Sequence, residues 1–276
     1  MKTKGLVLLI SGTSGAGKNT IIQGMLNQDG YKFISSYTTR ERRDVDTPNQ
    51  YQYITVQEFE EKIKSNEIFE YDMFNNNYYG TSRKLFSDGL KDADVVMKDI
   101  SVMGFKNIEE ELGDELNITA VFLTQTKKEL RQRLIGRGES PEKIKNRLKL
   151  YKKEQAQIPN YDYVIFNDVY LDTLDKVTKI AEIGLGKTEL LPTKSCANIS
   201  AKKIDSIATK LEKGKVFKPI KIALVNGQVY IVDGIHRYLA SLKTGKNIVK
   251  EFVNVTPKIE DVNKEEWDKV VDSYKA

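Results

Sequence analysis

The stretch Gly12-Thr13-Ser14-Gly15-Ala16-Gly17-Lys18-Asn19-Thr20 decides the fold of the N-terminal part of this chain. It follows the short apolar run Leu6 to Ile10 and precedes a segment whose apolar residues fit one helical face. Glycines in a strand–turn–helix let successive backbone N–H groups point at one phosphate, and the helix N-terminus favours negative charge there. Lys18 would reach the outer phosphates of a nucleoside triphosphate. A turn with glycines for geometry alone leaves Lys18 unexplained, so the stretch predicts a phosphate-binding loop.

One position of this loop departs from the usual pattern. The residue after the loop lysine is normally Ser or Thr, whose hydroxyl contacts Mg²⁺, and here it is Asn19. An amide oxygen ligates a hard cation weakly, and the ion can also be held through water and substrate phosphates. We therefore predict at most a weak contact between Asn19 and the metal.

The composition predicts an ordinary globular protein. A length of 276 residues is long for one domain and sufficient for two. Of these residues, 39% are hydrophobic and 30% are charged. No apolar run reaches the length of a bilayer span, and the single cysteine, Cys196, forms no internal disulfide and joins no zinc-type cluster. The expected setting is the cytoplasm of a bacterium or of a phage host. A net charge of +5 suits nucleotides and leaves DNA binding possible but unsupported.

Further blocks follow the loop in a recognisable order. They are Ser36-x-Thr38-Thr39-Arg40-x-x-Arg43, Tyr51-x-Tyr53, Phe69-Glu70-Tyr71, Asn77-Tyr78-Tyr79-Gly80-Thr81, the strand ending Asp99-Ile100-Ser101, the arginine-bearing segments 130–138 and 144–148, and Tyr161 to Asp168. At these spacings they resemble guanylate kinase up to about residue 183. The resemblance implies an α/β P-loop nucleoside monophosphate kinase fold with a parallel sheet, ATP and Mg²⁺ as cofactors, and GMP or dGMP as acceptor.

The residue types in these blocks fit an acceptor nucleotide. Arginine forks match phosphate oxygens in pairs, so Arg40 and Arg43 suit the acceptor phosphate, and the hydroxyls of Tyr51 and Tyr79 could add donors. A carboxylate between aromatic residues is costly unless it is paired, and Glu70 could accept both N–H donors of a guanine edge. The remaining base contacts would come from Ser36, Thr81 and Ser101.

The donor side follows from the resemblance. It implies Lys18, Arg137 and Arg147 as catalytic residues around the passing phosphoryl group, with the two arginines on a lid that closes. Asp99 would hold Mg²⁺ through water. ATP-binding residues would be Gly12, Ser14, Gly15, Ala16, Gly17, Lys18, Asn19, Thr20, Arg133 and Asn167. Ser101 replaces the second aspartate of the family, so another or modified acceptor base stays open.

The C-terminal third carries a second pattern. Ser200 can cap a helix, Asn226-Gly227 is a hairpin turn between two strands, and Asp233-Gly234-Ile235-His236-Arg237 precedes a short helix. From about residue 190 to 255 this order resembles the ParB/sulfiredoxin-like fold, with the D-G-x-H-R segment at its nucleotide-binding box. Asp233, Gly234, His236 and Arg237 are therefore candidate ligands for a nucleotide or another phosphate, unless Asp233 and Arg237 merely pair with each other.

These patterns give one hypothesis for the whole chain. Residues 1–185 are predicted to form a guanylate kinase-like domain that phosphorylates GMP or dGMP, 186–199 a linker, and 200–276 a small α+β domain that resembles ParB/sulfiredoxin. The alternatives are a non-catalytic guanylate kinase-like binding module and a C-terminal domain that is a second kinase or is associated with DNA. An intact phosphate loop favours the enzyme, because a binding module has no use for it.

Overall fold

A computed structural model describes residues 4–13, 15–42, 46, 51–74, 76–100, 102–260 and 262–275. Three predicted site residues, Ser14, Arg43 and Ser101, lie outside this part of the chain. The described residues form two compact units. The first lies within residues 1–11 and 18–120, and the second within 12–17 and 121–276.

The first unit contains a parallel sheet and the helices that follow its strands. Strand β1 (Leu6–Gly12) pairs in parallel with β7 (Val95–Asp99), which also pairs with β2 (Tyr31–Phe33). Residues Leu6 to Ile10 are fully buried, which explains why a continuous apolar run forms this strand. The helices of this unit are α1 (Lys18–Leu26), α2 (Val56–Lys64), α3 (Arg83–Asp92) and α4 (Val102–Leu112).

A second, four-stranded sheet belongs to the same unit. Its order is β4-β3-β6-β5, with β3 and β4 parallel and the other pairs antiparallel. Its strands are β3 (Ser36–Thr38), β4 (Tyr51–Tyr53), β5 (Ile68–Phe74) and β6 (Asn77–Ser82). Register places Glu70 opposite Thr81, so two of the predicted base contacts come from neighbouring strands.

The second unit carries the lid-like helices. Strand β8 (Asn117–Thr124), which begins before the unit boundary, pairs in parallel with β9 (Tyr163–Phe166). Between them lie α5 (Lys127–Gly136) and α6 (Pro141–Gln155), each with a capping side chain, Thr126 and Ser140 respectively. Helix α7 (Tyr170–Gly184) follows β9.

The C-terminal third continues the sheet of the second unit. Its elements are β10 (Leu190–Pro192), α8 (Ala201–Glu212), β11 (Ile220–Val225), β12 (Gln228–Asp233), α9 (Ile235–Thr244), β13 (Lys250–Phe252) and α10 (Lys264–Asp272). Strand β13 pairs in parallel with β9, and the order in this unit is β10-β12-β11-β13-β9-β8. The hairpin turn predicted between β11 and β12 is confirmed, because Asn226 and Gly227 have φ of 49° and 78°.

This arrangement differs from the predicted division into a kinase domain, a linker and a separate small domain. The stretch predicted as a linker, 186–199, contains β10, which pairs with β12, and a 3-10 turn, Cys196–Asn198. Backbone hydrogen bonds between β13 and β9 make the C-terminal third part of the same sheet as β8 and β9. The short helix predicted to follow Arg237 begins earlier, at Ile235, so His236 and Arg237 lie in its first turn. Within the described residues, no helix has the length and apolar character to cross a membrane.

Candidate active site

The phosphate loop has the backbone that its glycines predict. Gly12, Gly15 and Gly17 have φ of 151°, 86° and 88°, values that favour glycine. A side chain at Gly12 would also place a Cβ 2.0 Å from the carbonyl oxygen of Leu123, next to the hydrogen bond that the Thr13 N–H donates to that oxygen. The loop is therefore held against β8 by contacts that leave no space for a side chain.

Two predicted ATP-binding residues from distant parts of the chain meet at this loop. The amide Nδ2 of Asn167 donates to the carbonyl oxygen of Ala16 at 2.6 Å, and the guanidinium of Arg133 donates to the carbonyl oxygen of Asn167. A Cβ at Gly17 would lie 2.7 Å from Asn167 Nδ2. Arg133, Asn167, Ala16 and Gly17 thus form one cluster that fixes the loop and places a cation beside it.

The predicted catalytic residues occupy different positions. Lys18 is the first residue of α1 and directly follows the loop. Arg137 caps the C-terminus of α5 and is exposed, whereas Arg147 of α6 forms an ion pair with Glu139 at 3.0 Å. Helices α5 and α6 pack through Leu130, Leu134 and Ile144, which gives the two arginines a common rigid support. Asn19 and Thr20 are exposed on the first turn of α1.

Two of the predicted base contacts, Glu70 and Thr81, form a buried pair in the first unit. Glu70 is 7% exposed, and its Oε2 accepts a hydrogen bond from Thr81 Oγ1 at 2.9 Å. Burial raises the pKa of the Glu70 carboxyl, and the Thr81 hydrogen bond and the charge of Lys98 oppose this shift. A Cβ at Gly104 would lie 2.5 Å from Glu70 Oε1, so only glycine at this position lets α4 approach the carboxylate.

The predicted phosphate-binding arginine is already paired. Arg40, 9% exposed, donates to both carboxylate oxygens of Asp46, at 2.9 and 2.8 Å, and stacks on the Tyr51 and Tyr53 rings. Burial works against its charge, but the hydrogen bond and the charge of Asp46, with smaller contributions from Tyr79 and Tyr53, together raise the pKa of Arg40. The Tyr53 hydroxyl donates to the same carboxylate at 2.7 Å. Both Asp46 contacts come from the single Nη2 of Arg40, so a carboxylate already occupies part of the guanidinium that the sequence assigns to a phosphate.

Near this arginine, a cavity of about 790 Å³ brings together further predicted residues. Its lining includes Asn19, Tyr51 and Asp99, together with apolar side chains such as Ile22 and Leu26. Burial, followed by the charge of Asp99, raises the pKa of Tyr51 to about 12, so its hydroxyl stays protonated as a donor. The ring of Tyr79 packs edge-on against Tyr51, with centroids 5.8 Å apart. Within the described residues no cluster of three or more histidine, cysteine or acidic side chains could hold a metal.

The C-terminal turn adopts the pairing that the sequence left open. Gly234 has φ of 98°, and Arg237 Nη2 donates to Asp233 at 2.7 Å while its Nη1 donates to the Lys218 carbonyl oxygen at 2.7 Å. His236 Nε2 accepts a hydrogen bond from the Ser200 N–H at 3.1 Å. Burial, helped by Lys203, lowers the pKa of His236, which keeps the imidazole neutral and able to accept.

Sequence reasoning missed two buried polar residues beside these sites. Lys98 of β7 is 2% exposed and contacts Ser36, and Gln125, fully buried, has an Nε2 without a hydrogen-bond partner in the described part of the structure. The sequence offered one signal for Lys98, because a lysine directly follows the apolar run Val95-Val96-Met97 within a predicted strand. Gln125 directly follows β8 and accepts from Arg133 at 3.5 Å, a contact that no local pattern predicts.

These features define a P-loop nucleoside monophosphate kinase. The model of the guanylate kinase family matches residues 3–183, so the chain belongs to that family and the predicted class of enzyme is confirmed. The chain is 34% identical over 182 residues to the guanylate kinase of Clostridium acetobutylicum, covering 65% of this chain and 86% of that protein. It is 37% identical over 173 residues to that of Campylobacter jejuni subsp. jejuni, covering 61% and 83%.

A solved structure shares the fold. The crystal structure of guanylate kinase from Anaplasma phagocytophilum matches with a TM-score of 0.51 and 24% identity, covering 65% of this chain and 85% of that one. The family match ends at residue 183, so the C-terminal third lies outside it.

Proposed function

We propose that this protein transfers the γ-phosphoryl group of ATP to GMP or dGMP and releases ADP and the nucleoside diphosphate. An acceptor phosphate oxygen attacks the γ-phosphorus in line, and the bond from that phosphorus to the β,γ-bridging oxygen breaks. The buried Glu70 carboxylate carries this proposal, because it stands ready to accept the adjacent N1–H and N2–H donors of guanine. The guanylate kinase names of its relatives support the same acceptor.

The remaining residues receive their roles within this proposal. The loop glycines, Lys18 and Arg133 hold the ATP phosphates, and Arg137 and Arg147 stabilise the negative charge of the transferred group. Arg40, Tyr51 and Tyr79 hold the acceptor phosphate, together with Arg43, which lies outside the described residues. Binding of that phosphate exchanges the Asp46 carboxylate on Arg40 for phosphate oxygens.

The residues present fit a magnesium ion. Asn19 and Asp99 line one cavity and offer amide and carboxylate oxygens, the hard ligands that Mg²⁺ prefers, with Asp99 acting through water. Bound with ATP, the ion neutralises phosphate charge. The cytoplasmic setting predicted from the sequence belongs to the same proposal, since free nucleotides are found there.

A coupled assay tests the kinase function. The full-length protein is given ATP, Mg²⁺ and each nucleoside monophosphate in turn, and we expect turnover with GMP and dGMP. Glu70→Gln should raise KM for GMP and relax selection against AMP, because a site built to hydrogen-bond its ligand discriminates strongly only while its partner is intact. Turnover of no monophosphate would leave a non-catalytic binding module, and turnover of another base alone would identify a different acceptor.

For the C-terminal third, we propose a ParB/sulfiredoxin-like region that binds a nucleotide or another phosphate at Asp233, Gly234, His236 and Arg237. The left-handed Gly234 at the start of α9 and the adjacent guanidinium support this. A ligand would have to displace the Asp233 carboxylate from Arg237. Binding, rather than a second kinase activity, is favoured because Asp233 is the only acid of this motif, and nothing specific favours DNA.

Calorimetry of the full-length protein with CTP tests the C-terminal proposal, since CTP differs from the substrates proposed for the kinase site. Arg237→Ala should weaken CTP binding by about ten- to a hundredfold, as loss of a charge-assisted hydrogen bond costs about 1.5–3 kcal/mol. Absence of CTP binding, or equal binding by the variant, would contradict the proposal.

A further inference from the structure

A lysine side chain lies buried beside residues proposed to contact the acceptor base. Lys98, the residue before Asp99 on β7, is 2% exposed, a rare position for lysine. Its Nζ donates a hydrogen bond to Ser36 Oγ at 2.6 Å, and the carboxylates of Asp99 and Glu70 act on it electrostatically. The lysine thus connects two of the residues proposed to contact the base.

The packing of β7 does not require a charged group at this position. Its neighbours Val95, Val96 and Met97 are all buried, and a methionine would fill the volume of Lys98 without the cost of burying an amine. The side chain is therefore retained against an energetic penalty, and its contact with Ser36 gives it a specific role.

The contact fixes what Ser36 can offer a ligand. A serine hydroxyl has one donor and two acceptor lone pairs, and Ser36 Oγ already accepts from Lys98. Its own O–H remains to be donated, and the hydrogen bond that Oγ accepts polarises the hydroxyl and strengthens that donor. The pocket then presents an acceptor, the Glu70 carboxylate, together with a donor, the Ser36 hydroxyl.

A base edge with a ring N–H beside a carbonyl oxygen complements this pair. In 6-oxopurines, guanine and hypoxanthine, N1 carries a proton and O6 accepts. In adenine both properties are reversed, because N1 accepts and the 6-amino group donates. A matched hydrogen-bond pattern rejects the reversed one strongly, since the polar groups of the pocket are left unpaired.

We propose that Lys98 is a positioning residue that makes this kinase select 6-oxopurine monophosphates over AMP, by holding the Ser36 hydroxyl as a donor for O6. The proposal rests on the proposed function, in which Ser36 and Glu70 contact the acceptor base. It predicts that IMP, which keeps N1–H and O6 but lacks the 2-amino group, is a substrate as well as GMP.

Steady-state kinetics of the full-length protein and of Lys98→Met test this selection. For the variant we expect kcat/KM with GMP and with IMP to fall about ten- to a hundredfold, the range for a hydrogen bond to a charged group. The value with AMP should stay the same or rise, so the preference for 6-oxopurines collapses. Ser36→Ala should give a similar loss, and the double variant should lose little more than either single one.

Lys176→Met is the matched control. Lys176 is 3% exposed and pairs with Asp172 at 2.7 Å on α7, in the other unit. Its loss should alter stability and leave the ratio of GMP to AMP turnover unchanged.

The outcomes distinguish a failure of the proposed kinase function from a failure of the proposed role of Lys98. If wild-type protein turns over no monophosphate, the proposed function fails. If it phosphorylates GMP but Lys98→Met lowers kcat/KM for GMP, IMP and AMP in parallel, or leaves all three unchanged, the function stands and the role of Lys98 in selection is overturned.

Discussion

Replacing Gly17 with alanine tests whether the geometry of the phosphate loop is fixed by its backbone. Gly17 has φ of 88°, and an added Cβ would lie 2.7 Å from Asn167 Nδ2. Alanine at positive φ costs about 1–2 kcal/mol. The amide of Asn167 must also move, which weakens its 2.6 Å hydrogen bond to Ala16 and costs about 0.5–1.5 kcal/mol more.

These contributions together predict a loss of about 1.5–3.5 kcal/mol in the free energy of unfolding. Urea denaturation followed by circular dichroism measures this loss. In the same variant KM for ATP should rise by about tenfold or more, because the loop N–H groups no longer converge on the phosphates and small displacements are costly at such sites.

Gly136→Ala is the matched control for stability. Gly136 lies at the end of α5 with no atom within 4 Å of an added Cβ, so alanine should stabilise the protein by about 0.5–1 kcal/mol through helix propensity. Most surface substitutions change the free energy of unfolding by less than about 0.5 kcal/mol. If the free energy of unfolding of Gly17→Ala lies within that range of wild type and KM for ATP is unchanged, the proposed constraint on the loop backbone is refuted.

Three further predictions address the other parts of the molecule. Asp46→Asn should lower the thermal stability of the unliganded protein, because buried Arg40 loses a charged partner, and GMP should raise the melting temperature more than in wild type; equal shifts would contradict the exchange of carboxylate for phosphate. Trp267→Phe removes the 2.8 Å bond from the indole N–H to the Leu190 carbonyl oxygen and should cost about 1–3 kcal/mol by urea denaturation, whereas no loss would show that α10 is not anchored there. Burial lowers the pKa of His236 below its value in the unfolded chain, so the unfolded state binds more protons. The free energy of unfolding should therefore fall as the pH decreases through about 6.5, and His236→Gln should flatten this dependence. Identical pH profiles for variant and wild type would exclude the His236 imidazole as its cause.

Much of the donor loop and of the secondary structure could be predicted from the sequence. The glycines of the loop, the Asn226-Gly227 turn and the cap Ser200 behave as their residue types predict. In each case the signal is local, since one residue's backbone preference or short side chain decides the conformation. The ordered blocks between residues 12 and 168 also predicted the family.

The division of the chain could not be predicted in this way. The composition of 186–199 favoured a linker, yet Leu190–Pro192 pairs with β12 and Lys250–Phe252 pairs with β9. Three-residue strands carry almost no periodicity, so their partners are chosen by the sheet edges available to them.

By itself the sequence determined that this chain contains a phosphate loop followed by the acceptor and lid blocks of a nucleoside monophosphate kinase. Only the tertiary structure decided how those residues are partnered. Asn167 contacts Ala16 across 151 positions, Lys98 contacts Ser36 across 62, and both carboxylate oxygens of Asp46 accept from Nη2 of Arg40. Such pairs depend on which buried polar groups find each other when the chain folds, because burial makes an unpaired donor or charge costly, and no spacing in the sequence encodes that choice.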